Sequence, residues 1–135
     1  MPSRFTQLVL AATLFFFATG HGGGCCSSSD GVLGPPTEAT CPQGSTLTYD
    51  NFGRQLMESY CTRCHASTLT GAARNGATAF HDFDSLDGIR AVANHIDETA
   101  GSGPAATNET MPPNGSKPSL AERQMLAEWI ACGAP

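Results

Sequence analysis

Asn51-Phe52-Gly53-Arg54-Gln55-Leu56-Met57-Glu58-Ser59-Tyr60-Cys61-Thr62-Arg63-Cys64-His65 joins a helical repeat to a pair of thiols and an imidazole. Phe52, Leu56, Met57 and Tyr60 fall on one face of a helix that Asp50 or Asn51 is suited to cap. The helix runs directly into Cys61, so both sulfurs and the His65 ring are presented at one helical turn.

Outward from this segment the pattern stays helical. A second helix is predicted from about Ser85 to Thr99, with Leu86, Ile89, Val92, Ala93 and Ile96 as its apolar face. A third follows Pro118, where Ser119 and Glu122 form a capping box, Leu120, Met125, Leu126, Trp129 and Ile130 make the stripe, and Gly133 stands where a helix stops. No alternating apolar run is long enough for a sheet, and the predicted class is all-α. Long loops, Ala66 to Asp84 and Ala100 to Pro118, separate the helices. Such loops in so small a domain need a reason, and a large buried prosthetic group would supply one.

Cys61-Thr62-Arg63-Cys64-His65 is a C-x-x-C-H pentapeptide, the attachment motif of c-type haem. Thiols at this spacing reach the two vinyl groups of one porphyrin and form thioethers, while the adjacent imidazole is directed at the iron. Two other uses of C-x-x-C compete: a redox dithiol, which wants a strand before the motif, and half of a zinc site, which wants two more ligands at compact spacing. The remaining candidates, Cys41, His81, His95 and Cys132, are scattered singly. For a sixth iron ligand the strongest candidate is Met111, held in a polar loop by Pro112 and Pro113. His81 and His95 are the alternatives.

From about Asp50 to Pro135 the chain resembles a small mono-haem class I cytochrome c. The family places a Gly eight residues before the first haem cysteine, matched by Gly53, and an aromatic on the last helix against it, matched by Trp129. It also places an aromatic four residues before that cysteine, where this sequence has Met57. The resemblance implies a class I cytochrome c fold around one haem c, bound covalently by Cys61 and Cys64, with His65 and Met111 as axial ligands. It further implies a one-electron carrier rather than an enzyme, with a positive potential, serving redox proteins of the cell envelope. If the first and last helices cross, Cys41 and Cys132 meet in a disulfide, closing a loop of about ninety residues worth roughly 4 to 5 kcal/mol. The alternatives are a haem sensor or small peroxidase-like protein with a labile sixth ligand, for which the sequence supplies no distal Arg and His pair, and a haem-free metal-binding lipoprotein.

The 135 residues do not all belong to that domain. Arg4, the apolar run Leu8 to Ala18 and the small residues after it make residues 1–24 a secretory signal, with a cut expected after Gly20. A competing end of the signal is Cys25, lipid-bearing at the head of a Ser-rich segment, although the Leu of a lipobox is missing before both Cys25 and Cys26. Residues 25–40 are rich in Gly, Ser and Pro and are expected to be a flexible tether, leaving 41–135 as the folded domain. Export to the periplasm or the periplasmic face of a membrane also fits six cysteines in so short a chain.

The formal charge of −5 offers no basic surplus for nucleic acid, and a membrane would be met only through the lipid. From Asp50 to Glu128 six cations face ten carboxylates, leaving −4, which suits a basic or apolar docking partner. Arg63, Arg74 and Lys117 are expected to be solvated surface charges.

Overall fold

The computed structural model describes residues 33–135; the signal segment, its cut after Gly20 and the Cys25 lipid site lie outside the described residues. Those described are all-α, with an isolated Ser102–Thr107 bridge and no strand. A π-turn at Tyr49–Gly53 leads into helix α1, Arg54–Tyr60; a 3-10 turn occupies Gly71–Arg74; α2 is Leu86–Ala91, α3 Ala93–Ala100 and α4 Leu120–Ala131. None of these helices is long and apolar enough to cross a membrane.

The first helical segment is capped by Thr48, two residues before Asp50 and three before Asn51, the predicted caps. The Thr48 hydroxyl accepts from the Asn51 N–H at 3.2 Å, and the Asn51 side-chain oxygen accepts from the Thr48 N–H at 2.8 Å. Asn51 is therefore the returning half of a reciprocal box instead of the cap itself. The second predicted helix is two helices. Ser85 caps it, accepting from the Gly88 N–H at 3.1 Å, but Val92 leaves the helical region (φ −130°, ψ 29°) and its N–H turns back to the Ile89 and Arg90 carbonyls. Ile89 and Ile96, on either side of the break, both stay buried. The last helix forms as its capping box predicts, with Ser119 accepting from the Glu122 N–H at 3.3 Å and Gly133 at φ 83° beyond its end.

The core gathers where the π-turn meets α4. Trp129 is fully buried, and a Cβ on Gly53 would lie 2.4 Å from its ring, so the Gly53 backbone rests directly on the indole. Tyr49 stacks on the same indole (centroids 6.5 Å apart, 22°) and Phe52 meets it edge-on (6.2 Å, 76°). Met57, where the family places an aromatic, is 1% exposed and part of this core. Cys41 and Cys132, 91 positions apart, are paired at disulfide distance with a Cα–Cα separation of 4.7 Å.

Residues 33–40, assigned by composition to the flexible tether, are docked on the helices. Thr37 is completely buried. Its N–H and hydroxyl donate to the two carboxylate oxygens of Asp97 at 2.9 and 2.6 Å, and the Gly34 N–H donates to the Glu98 carbonyl at 2.7 Å. Composition alone reads this segment as leash because its anchoring carboxylate lies sixty positions away in sequence.

Each long loop is wrapped around one buried arginine. Arg74, expected to be a solvated charge, is 8% exposed. Its guanidinium donates to the carbonyls of Ala66 (3.0 Å), Thr78 (2.8 Å) and His81 (3.0 Å) and pairs with Asp82 at 2.8 Å. Arg123 on α4, 2% exposed, donates through Nη1 to the carbonyls of Ala100 (2.9 Å), Asn108 (2.8 Å) and Met111 (3.1 Å). Main-chain carbonyls that a loop would leave unpaired are thereby satisfied from within.

Candidate functional site

Cys61 caps the end of α1, where its N–H donates to the Met57 carbonyl. The chain then closes a tight turn: the N–H groups of Cys64 and His65 both reach the Cys61 carbonyl, at 3.1 and 3.0 Å. The turn holds both thiols and the imidazole on one short arc, with Cys61, Cys64 and His65 each half-buried. Both sulfurs are free. Burial pushes the Cys61 thiol up to about 12, against a smaller opposing pull from Arg63 and Arg123. A redox dithiol needs its attacking thiol shifted the other way, toward the thiolate.

The His65 ring is fixed on two sides. Nδ1 lies 3.0 Å from the His81 carbonyl oxygen. A carbonyl can only accept, so Nδ1 carries the hydrogen and Nε2 keeps its lone pair. Phe83 stacks on the ring at 4.4 Å and 9°, and the Phe83 N–H returns to the His65 carbonyl at 2.7 Å. Burial holds the imidazole below its ordinary value of 6.5, which the His81 hydrogen bond only partly offsets, so the neutral ligand form is favoured.

Met111 borders the same core as Cys61. Its N–H donates to the Thr99 carbonyl at 2.9 Å and its carbonyl accepts from Arg123 at 3.1 Å, pinning the backbone on both sides. Pro112 beyond it is buried. Arg63, expected as a bare surface charge, donates to the Asn114 carbonyl and lies against Gly115, joining the Cys61–His65 turn to the Met111 loop.

His81 contributes its carbonyl behind His65, on the Nδ1 side, and its ring leans toward His95 (5.3 Å, 43°). His95 is exposed on α3. Lys117 is exposed and reaches the Glu109 carbonyl at 3.4 Å. Among the described residues no three His, Cys, Asp or Glu side chains converge as a metal cluster.

No protein-family model matches the chain, and no curated protein or solved structure matches it. Sequence reasoning missed Arg74, Arg123 and the docked segment 33–40. Arg123 had one signal: it lies on the α4 face that carries Leu126 and Ala127, a cation among buried apolar positions. Arg74 had none, since its partners are mostly main-chain carbonyls.

Proposed function

We propose that this chain is a mono-haem c-type cytochrome of the class I kind, an exported electron carrier of the bacterial cell envelope with His65 and Met111 as axial ligands. The observation that carries the reading is the His65 Nδ1–H donated to the His81 carbonyl inside a C-x-x-C-H turn with two free thiols. It orients the ring and leaves Nε2 as the only ligating nitrogen, as when a metal-bound histidine donates its other ring N–H to a carbonyl.

The donor set fits the group. Two free sulfurs at the motif's spacing would suit two thioethers, and the neutral, half-buried His65 imidazole and the Met111 thioether on its pinned loop would hold the iron. Haem supplies one-electron chemistry between ferrous and ferric iron. The chain's own residues hold the ligands still: Phe83 and the His81 carbonyl fix His65, while Thr99 and Arg123 fix the Met111 backbone. Ligands that do not move between oxidation states keep the reorganisation small. The Cys41–Cys132 pair supports an oxidising compartment, and the −4 balance supports a basic or apolar redox partner.

The test is expression with an export signal and a haem-attachment system, followed by haem staining of a denaturing gel. The expected product keeps its haem under denaturation and shows, when oxidised, a weak far-red sulfur-to-iron band that Met111→Ala abolishes. A colourless product would overturn the reading. A haem-bearing one that lacks the band and binds carbon monoxide readily would point to the sensor or peroxidase-like alternative.

A further inference from the structure

The docked segment 33–40 is tied to the loop that carries Met111. The Asn108 side-chain amide donates at once to the Pro35 carbonyl (2.9 Å) and the Asp97 carbonyl (3.0 Å), while the Ala105 N–H donates to the Thr37 carbonyl at 3.0 Å. Asn108 is buried, its own N–H bonds Gly101 at 2.8 Å, and its carbonyl accepts from the Arg123 nitrogen that also holds the Met111 carbonyl. The fit is close: a Cβ on Gly34 would come within 2.1 Å of the Asn108 side chain, and one on Gly103 within 2.6 Å of the Thr37 carbonyl. A continuous chain of hydrogen bonds thus runs from Thr37 through Asp97 and Asn108 to Arg123 and Met111.

We propose that residues 33–40 are a strap that positions the sixth ligand, with Thr37, Asp97 and Asn108 as positioning residues for Met111. This rests on the haem-ligand reading of Met111 above. The strap hydrogen-bonds to the 101–111 loop, which carries the Ser102–Thr107 bridge but no helix or strand of its own. Loosening it lets the loop swing and weakens the sulfur bond while the His65 side is untouched.

The experiment uses the full chain loaded with haem and compares wild type with Thr37→Val, Asn108→Ala and the conservative Thr37→Ser. Imidazole is titrated against the oxidised protein, the far-red band is followed, and amide exchange is read at Asn108 and Met111. Loss of the Thr37 hydroxyl bond to the Asp97 carboxylate, or of both Asn108 amide bonds, corresponds to about tenfold tighter imidazole binding. That gain, a weakened band and faster exchange are expected in Thr37→Val and Asn108→Ala, with Thr37→Ser close to wild type.

A Thr48→Ala variant removes the cap of the first helical segment, lowers overall stability without touching the strap and is expected to keep the wild-type imidazole affinity. Equal affinity and exchange in all strap variants would overturn the proposal. So would the same gain in Thr48→Ala, or a haem-bearing wild type with no sulfur band. If wild type carries no haem, the proposed function falls with the ligand role of Met111, and the exchange rates alone decide whether the strap holds the loop.

Discussion

Arg123 shows how much of this molecule depends on single side chains. A buried guanidinium that satisfies the last carbonyl of α3 and two loop carbonyls cannot be removed without leaving those acceptors and its own space unfilled. Arg123→Met is expected to destabilise the fold by about 3 kcal/mol, read by urea unfolding, and, on the proposed function, to weaken the sulfur-to-iron band in the haem-loaded protein. A variant that unfolds earlier but keeps full band intensity would separate the two effects. The residue was hard to see in the sequence because its partners are main-chain oxygens, which every sequence has. The C-x-x-C-H turn was easy to see for the opposite reason: both the chemistry and the spacing are written in side chains.

At the scale of elements, short-range signals read well and their limits are instructive. The capping box at α4 lies within four residues, and the structure places both halves as the sequence implies, with the Tyr60 hydroxyl also donating to Glu122 at 3.0 Å. Hydrogen bonds from the Ser119 N–H and hydroxyl, and a smaller one from Tyr60, hold the Glu122 carboxyl below its ordinary value of 4.5. A carboxyl lowered in the folded state contributes stability that is present above pH 4.5 and is lost as pH falls through the folded value. Glu122→Gln should therefore be less stable than wild type near neutral pH, with the gap narrowing on the acid side of that value in urea melts taken across pH. Ser119→Ala should cost about 1 kcal/mol at neutral pH. By contrast, the break at Val92 was invisible to periodicity, since Ile89 and Ile96 are one heptad apart and share a face whether or not the helix is continuous.

For the whole molecule, the decisive long-range links are one covalent pair and one contact. The contact of Gly53 with Trp129 was legible only through the resemblance, and it brings the first and last helical segments together. The Cys41–Cys132 pair then closes nearly the whole domain. Cys41→Ser/Cys132→Ser is expected to lose about 4 kcal/mol, chiefly by releasing the unfolded chain; calorimetry against wild type checks it, and a loss below about 1 kcal/mol would mean the bond is dispensable. The docked strap could not be read from sequence because its polar residues imitate a linker; what distinguishes them is an acceptor far along the chain. Local chemistry was therefore visible at the His65 side of the site, whereas the support of the Met111 side was not.

The His81 carbonyl accepts two hydrogen bonds, one from His65 Nδ1 and one from the Arg74 guanidinium. An oxygen already polarised by a cation is a poorer base toward the imidazole, so the ring retains its hydrogen fully and pushes less electron density out through Nε2. A metal held there is left electron-poor, which favours the reduced state. Arg74→Gln should shift the midpoint potential downward in a redox titration, and Arg74→Lys, which keeps the charge without the fork of donors, should fall between the two. On the proposed function, a loop arginine that touches no ligand would set the potential at which the haem is oxidised.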